Sequence, residues 1–248
     1  MAADAPLTDN DAGSSADPGT VASGRVVVII PALNEEDAIV RVLADIPPLA
    51  DEVIVVDNGS VDDTPSRAAA GGARVVSEPR RGYGQACLTG IAALPDDTEY
   101  VVFLDGDFSD YPDDMNHIVA PLQAGTADLV IGSRVLGERE PGALLPQARF
   151  GNALATLLIY WLYGVRYTDL GPFRAIRRDA LQRIGMVDRN FGWTVEMQVK
   201  AARLGLRAVE VPARYRRRHA GVSKVTGTIS GSLGAGWKIL LTIFRHAR

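Results

Sequence analysis

The sequence predicts an α/β domain built on a mostly parallel central sheet, and two patterns lead to that prediction. Short runs of valine and isoleucine recur, beginning with VVVII at 26–30 and EVIVV at 52–56. A stretch with helical spacing of apolar residues follows each run, and strands that are apolar throughout are typical of sheets covered on both faces. With 248 residues, 47% of them hydrophobic, the chain is long enough for one large core.

The alternation continues along the first half of the chain. The predicted strands are 26–30, 52–56, 73–76, 100–104 and 128–132, and the predicted helices are 34–46, a segment after Thr64, 82–94 and a segment after Pro112. The loops that follow three of these strands read PALNEE, VDNGSVDDT and LDGDFSD. Ligands in open α/β sheets bind outside the carboxyl ends of the strands, so we expect these loops to form the site.

The two ends of the chain differ from this pattern. Residues 1–24 hold four aspartates and no lysine or arginine, and they lack a large apolar run, so we expect a disordered acidic tail that is not a signal peptide. Residues 25–226 are predicted to form the folded domain. Residues 227–248 are predicted to form a separate amphipathic helix.

Two apolar stretches are too short to span a bilayer, which takes about 20 residues. One is 150–165, and the other carries Trp237, Leu240, Leu241 and Phe244 at helical spacing. Both could lie in a membrane interface with nearby cationic side chains at the headgroups. The alternative is that both pack against the sheet as core helices.

Acidic and basic residues are unevenly distributed along the chain. Residues 25–170 hold 22 acidic against 10 basic residues, whereas 171–248 hold 4 against 16. An acidic half suits a divalent cation and a basic half suits phosphates. A single cysteine, Cys87, excludes an intramolecular disulfide framework and a thiolate zinc cluster, and three histidines argue against a His-rich metal site. A reducing compartment is therefore expected. No aromatic residues interleave the basic run, so nucleic acid is not an expected partner.

The strongest chemical signal is Asp105-Gly-Asp107, directly after the apolar run YVVFL. Two carboxylates one residue apart at a strand end can turn toward one hard cation, and Mg²⁺ or Mn²⁺ held in this way keeps positions free for substrate phosphates. A solvated loop is the alternative for an isolated pair of this kind. The polar loops at other strand ends favour the metal site.

Seven segments occur in the order found in one known family: IIPALNEE (29–36), VVDNGSVDDT (55–64), RGYGQA (81–86), LDGDFSDYP (104–112), IGSR (131–134), GPFRAI (171–176) and RRRHAGVSK (216–224). The chain therefore resembles the family 2 glycosyltransferases of GT-A fold, and within them the polyprenyl-phosphate (dolichyl-phosphate) mannose and glucose synthases. The resemblance implies a GT-A fold and inverting transfer of a hexose from a nucleotide-sugar donor of the UDP-glucose or GDP-mannose type. The implied acceptor is a polyprenyl phosphate at the inner face of the cytoplasmic membrane.

The resemblance also implies residue roles on the donor side. Asp105 and Asp107 would hold Mg²⁺ or Mn²⁺ against the donor diphosphate. The other implied donor-binding residues are Pro31, Glu35, Asp57, Gly82, Gly84, Arg218 and Lys224, with the two glycines letting the backbone close on the ribose. For Glu35 and Asp57 the alternatives are a first-turn helix charge and a turn cap. Asn58 stands where relatives often have a second aspartate, and Ser109-Asp110 stands where they often have Gln-His.

On the acceptor side, Arg134, Arg149 and Arg174 are the candidate phosphate ligands. Arginine forks bind phosphate oxygens in pairs, and the resemblance implies that Arg134 and Arg149 hold the acceptor phosphate. The run Arg216–Arg218 could instead be a solvated edge strand. The catalytic candidates are Asp107 and Glu196. Glu196 would be the general base if the acceptor were a hydroxyl, and an ordinary glutamate on a helix face is the alternative.

Two other functions compete with lipid-phosphate transfer: the same donor chemistry on a hydroxyl acceptor, and a catalytically silent nucleotide-sugar binding protein. A nicotinamide dehydrogenase is not expected, because no G-x-G-x-x-G follows the first strand. The sequence does not indicate the oligomeric state.

Overall fold

The computed structural model describes residues 24–218 and 229–245, and at its centre lies a seven-stranded sheet. The strands are β1 Arg25–Ala32, β2 Glu52–Asp57, β3 Arg74–Ser77, β4 Thr98–Phe103, β5 Leu129–Ser133, β6 Arg174–Arg177 and β7 Ala208–Pro212. Their order in the sheet is β3-β2-β1-β4-β6-β5-β7. Only β6 runs against its neighbours β4 and β5, so the prediction of a mostly parallel sheet is confirmed.

The strands form where the sequence is apolar and β-branched, because both faces of each central strand are covered. All of 26–30 and 100–103 is buried. The register sets Ala32 beside Asp57 and Ile29 beside Phe103. The carboxyl ends of β1, β2 and β4 therefore meet at one edge, and this edge brings the three polar loops together.

Helices cover both faces of the sheet. They are α1 Ile39–Ala44, α2 Thr64–Ala70, α3 Tyr83–Ala92, α4 Met115–Gln123, α5 Pro146–Tyr163, α6 Arg178–Ile184, α7 Trp193–Arg203 and α8 Ile229–Arg245, with a 3₁₀ turn at Pro112–Asp114. One core lies under α1, α2 and α4. The other lies under α3, α6 and α7, and α5 and α8 add to it from outside.

Helices α5 and α8 contact each other, and both contact α7. We term α5 and α8 together the outer layer. Their inner faces carry buried residues such as Ala155, Ile159 and Ile243, but their outer faces leave Phe150, Trp161 and Trp237 at 72%, 76% and 69% exposure. In α8, Leu241 and Phe244 are also exposed. Of the residues predicted for an interface on α8, Trp237, Leu241 and Phe244 are thus on the surface, whereas Leu240 is half-buried. None of the helices in the described chain is long and apolar enough to cross a membrane.

Several sequence predictions fall outside the described ranges. The acidic tail lies there apart from Gly24, as do Lys224 and the predicted domain boundary at 226. Strand β6 was not predicted, because GPFRAI was interpreted only as a site motif.

Candidate active site

A cleft of about 990 Å³ opens at the edge where β1, β2 and β4 end. Its wall at the sheet edge includes Pro31 and the charged residues Glu35, Asp105, Asp107 and Arg218, and its apolar wall comes mostly from the outer layer. The apolar wall is formed by residues such as Leu145, Phe150, Leu154, Phe191, Trp237 and Leu240. The cleft therefore joins a charged end at the sheet edge to an apolar end between α5 and α8.

The two carboxylates of the Asp-Gly-Asp loop both line the charged end. Burial, and then the charge of Asp107, raise the pKa of Asp105 to about 7. The Tyr83 hydroxyl donates to Asp105 Oδ1 at 3.0 Å. Asp107 Oδ1 accepts from the Ser109 amide at 2.9 Å, which fixes the loop. A cation between these groups would relieve the repulsion that disfavours ionised Asp105.

Arg218 connects two walls of the cleft. Its guanidinium donates to Asp107 Oδ2 at 3.1 Å and forms an ion pair with the buried Glu35. Arg218 is the one member of the 216–218 run that lines the cleft. Arg216 stacks on Phe108 and Tyr111, and Arg217 Nε donates to a backbone carbonyl at 2.7 Å. The run is therefore neither a uniform phosphate site nor a solvated edge.

Asn58, which stands where relatives often have a second aspartate, fixes the backbone on the donor side of the cleft by hydrogen bonds. Its Nδ2 donates to the carbonyls of Glu78 and Arg80, and its Oδ1 accepts from the Gly82 amide. Asp57 next to it is buried, and its Oδ1 accepts from the Ser60 amide at 3.0 Å. Asn58 lines the cleft, whereas Asp57 does not. The turn-cap alternative thus describes Asp57 better than the donor contact.

Gly82 and Gly84 permit a close backbone approach, but to a different partner from the predicted ribose. Gly82 has φ +145°, and a Cβ there would overlap the carbonyl oxygen of Arg189. A Cβ on Gly84 would overlap the carbonyl oxygen of Asp188. The glycines let α3 begin against the 188–190 loop, a role that the sequence did not predict. Gly82 also lines the cleft.

Glu196 does not face the cleft, so the prediction of a general base is contradicted. Its side chain is buried, its oxygens accept from the backbone amides of Val187 and Asp188, and it forms an ion pair with Lys200 at 2.7 Å. A carboxylate engaged in this way has no access to an acceptor hydroxyl. Its position holds the loop that packs against the two glycines.

The predicted role of Arg174 as a ligand of the acceptor phosphate is also corrected. It is fully buried, and its terminal nitrogens donate to the backbone carbonyls of Thr194 and Gly171. Burial lowers its pKa to about 10. Because the guanidinium is enclosed between β6 and α7, it does not reach an acceptor phosphate.

The other two arginines predicted to bind the acceptor, Arg134 and Arg149, line two different cavities. Arg134 lines the cleft and makes a two-pronged ion pair with the buried Asp169, with both N···O distances 2.8 Å. Its guanidinium also lies 5.1 Å from the centre of the Tyr215 ring. Burial opposes ionisation of Asp169, but hydrogen bonds from Arg134 outweigh it and lower its pKa. Arg149 is exposed and lines a neighbouring cavity.

Asp110 is a further residue that the sequence did not mark as functional. It is buried, and its carboxyl oxygens have no hydrogen-bond partner in the described chain. Burial and the charges of Asp105 and Asp107 raise its pKa well above the usual range. Ionisation of Asp110 is therefore disfavoured next to the carboxylate pair, and its burial there depends on tertiary contacts that the sequence does not show.

The residues at the charged end fit a divalent cation. Within the described ranges no cluster of three or more His, Cys, Asp or Glu could hold a metal, and Asp105 and Asp107 are the two carboxylates that line the charged end close together in sequence. Mg²⁺ characteristically takes one or two carboxylates and completes its shell with water and substrate phosphates. A pair of this kind opening into a cleft matches that requirement.

Comparison with known proteins identifies a family. The model described as Glycosyl transferase family 2 matches residues 27–185. A glycosyltransferase of Mycobacterium tuberculosis is 40% identical over 225 residues, covering 89% of this chain and all of that protein. An undecaprenyl-phosphate mannosyltransferase of Micrococcus luteus is 33% identical, covering 84% of this chain and 90% of that protein.

The fold is that of GT-A glycosyltransferases. The crystal structure of glucosyl-3-phosphoglycerate synthase from Mycobacterium tuberculosis with Mn²⁺, uridine diphosphate and glucosyl-3-phosphoglycerate matches with a TM-score of 0.72 at 27% identity. The match covers 90% of this chain and 80% of that one. Similarity thus extends both to a protein named for a lipid-phosphate acceptor and to one crystallised with a soluble product.

Proposed function

The chain belongs to glycosyl transferase family 2, and from that premise we propose that it transfers a hexosyl group from a nucleotide-diphosphate sugar to a polyprenyl phosphate at a membrane surface. One observation carries the choice of acceptor: the cleft that begins at Asp105 and Asp107 continues between the apolar side chains of α5 and α8. An acceptor with a charged head and a long apolar tail matches both ends.

The donor is proposed to bind at the charged end. Asp105 and Asp107 would hold Mg²⁺ or Mn²⁺, which when bound supplies charge neutralisation at the departing nucleoside diphosphate. Arg218 lies against Asp107 and Glu35 and is placed to exchange those carboxylates for diphosphate oxygens. The hydrogen bond from the Gly82 amide to Asn58 Oδ1 fixes the backbone on the donor side of the cleft.

The acceptor phosphate is proposed to enter beside Arg134. A phosphate oxygen is already ionised near neutral pH, so in-line attack on the anomeric carbon needs no strong base. This agrees with the buried and fully engaged Glu196. Because Asp169 holds Arg134 by two hydrogen bonds, the guanidinium is oriented before the acceptor arrives, which lowers the cost of ordering it.

Membrane contact is proposed to occur through the outer layer. Contiguous exposed apolar patches larger than a few hundred Å² are uncommon on soluble monomers, and they mark interaction surfaces. Trp161 on α5 and Trp237 on α8 are, with Phe150, the most exposed large residues of this layer. Tryptophan is enriched at membrane–water interfaces because its ring is amphipathic.

A soluble phosphorylated acceptor is the second candidate, favoured by the structural match to glucosyl-3-phosphoglycerate synthase. That reaction would use a hydroxyl nucleophile and would need a general base in the cleft. The apolar wall would then have no ligand to contact.

The experiment is a matrix of donors and acceptors. The protein is incubated with UDP-glucose, GDP-mannose and related nucleotide sugars, with Mn²⁺, and with either polyprenyl phosphate in vesicles or phosphoglyceric acid in solution. We expect nucleoside diphosphate release and labelled sugar in the organic phase only with the lipid. Release with phosphoglyceric acid alone would reject the lipid acceptor, and Asp107→Asn serves as the inactive control.

A further inference from the structure

A second cavity, of about 880 Å³, opens beside the cleft along α5. It shares Leu144, Phe150 and Asn152 with the cleft. Three arginines line it: Arg139 before α5, Arg149 in the first turn of α5 and Arg166 after its end. This space is termed the arginine cavity.

The positive charge of the arginine cavity is not balanced by acidic residues of the chain that the structure describes. None of the described residues that line it is acidic. Within residues 24–218 and 229–245, none of its three arginines forms an ion pair with a carboxylate. Other arginines of the chain do have acidic partners, for example Arg207 with Asp128 and Arg214 with Asp114. Three unneutralised guanidinium groups around one cavity favour an anionic ligand.

One of the three arginines is oriented without being neutralised. Arg166 lies over the Tyr160 ring at 4.6 Å from its centre, and its Nη2 donates to the Tyr160 hydroxyl at 3.3 Å. Stacking on an aromatic ring restricts a guanidinium but leaves its charge available. Tyr160 lines the same cavity, so Arg166 is held at the wall where a ligand would meet it.

The wall also contains apolar groups. Phe150 and Leu157 line the cavity and are exposed at 72% and 51%. They belong to the same outer face of α5 that carries Trp161. A bare inorganic anion would leave these side chains in water, whereas a phosphate with an attached hydrocarbon chain would cover them.

We propose that the arginine cavity binds the phosphate group of a membrane amphiphile, and that Arg139 and Arg166 act in it together with Arg149. The inference deepens the proposed function and rests on its placement of the outer layer at a membrane. Two sources share this chemistry: the prenyl phosphate acceptor on its way to the cleft, and the headgroup of an anionic bilayer lipid.

The test removes the two newly assigned arginines together, in the double variant Arg139→Gln and Arg166→Gln. Arg183→Gln is the matched control, since Arg183 is exposed on α6 away from both cavities. Two probes are measured by direct binding: geranyl phosphate in solution, and phosphatidylglycerol vesicles by sedimentation. UDP binding with Mn²⁺ and the thermal midpoint report on the donor side and the fold.

We expect the double variant to lose about tenfold to 100-fold in affinity for at least one probe, the usual worth of hydrogen bonds to charged groups. Donor binding, fold and the control variant stay unchanged. Loss confined to geranyl phosphate identifies the acceptor as the source, and loss confined to the vesicles identifies the bilayer headgroup.

Unchanged affinity for both probes, or no binding of either by the native protein, overturns the proposal. Arginine-dependent binding by a protein that transfers no sugar to polyprenyl phosphate would instead reject the proposed function and leave the cavity assignment standing.

Discussion

The sheet edge and the outer layer of this molecule differ in how completely their side chains are satisfied. At the sheet edge, Arg218 bridges Glu35 and Asp107, and Arg134 pairs with Asp169. In the outer layer, tryptophans are exposed and the arginines of the neighbouring cavity have no acidic partner in the described chain. In the first region the protein pairs its own charged groups, with the exception of the Asp110 carboxyl. The second has the features of a surface that a ligand completes.

The largest expected effect is at the sheet edge. Asp107→Asn removes a carboxylate that we assign to the cation and to Arg218, so turnover should fall by about 10³-fold, the scale of losing a group that stabilises developing charge. Steady-state kinetics with saturating Mn²⁺ measure it. Asp113→Asn, at an exposed aspartate in the following 3₁₀ turn, is the control and should retain activity. Equal activity of the two variants would remove Asp107 from the site.

The second prediction concerns the buried ion pair. Arg134→Ala leaves the carboxylate of Asp169 buried without its partner, so the free energy of unfolding should drop by about 3–5 kcal/mol. Denaturant unfolding of the metal-free protein measures the change. Replacing both members, as Arg134→Met with Asp169→Leu, should recover part of the lost stability but no acceptor binding. A loss under about 1 kcal/mol would mean that water reaches this pair as it reaches surface ion pairs.

The third prediction is a pH dependence caused by Asp105. Its pKa is about 7 in the fold against 3.8 for the free side chain, so between these values the folded state binds more protons than the unfolded state. The free energy of unfolding of the metal-free protein should therefore decrease as pH rises from about 4 to about 7. Affinity for Mn²⁺ should increase over the same range, because the cation binds the ionised form.

Unfolding curves in the presence of a chelator, recorded at several pH values, measure this slope. It should be shallower in Asp105→Asn. Asp110, whose pKa is also raised, keeps part of the slope in that variant. An identical slope in native protein and variant would show that Asp105 does not titrate in this range.

The smallest expected effect on turnover is at Glu196. Glu196→Gln weakens the bonds to the 187–188 amides and the ion pair with Lys200, which should cost about 1–3 kcal/mol of stability. Turnover at saturating substrates should stay within about threefold, because the residue takes no part in proton transfer. General-base catalysis would instead be worth at least about 10²-fold, so a loss of that size would restore the hydroxyl-acceptor mechanism.

Sequence predicted the sheet and its active edge for a simple physical reason. Runs such as VVVII are typical of strands buried on both faces, and parallel strands bring their carboxyl ends to one edge. That was enough to place Asp105 and Asp107 beside Glu35. The family resemblance, and not the pattern, led to Arg134 and Arg218.

The predictions for Glu196 and Arg174, and the placement of Arg149 with Arg134, failed for the same physical reason. Periodicity shows that Glu196 lies on a helix, but it does not show which backbone amides face that position in the fold. Similarly, an arginine in GPFRAI gives no sign that strand β6 will enclose it between sheet and α7. The separation of Arg134 from Arg149 depends on the path of the chain between the end of β5 and α5, which packs on α7 and α8. Each of these outcomes is decided by contacts between residues far apart in sequence.

Photolabelling with a polyprenyl phosphate that carries a photoreactive group on its hydrocarbon chain most directly tests the difference between the two regions. The native protein is irradiated in vesicles, and the labelled peptides are identified by mass spectrometry. The account predicts label in peptides from α5 and α8, removed by excess unlabelled polyprenyl phosphate but not by UDP with Mn²⁺. Label confined to α1, α2 or α4, or label in the outer layer that unlabelled lipid does not displace, would contradict it.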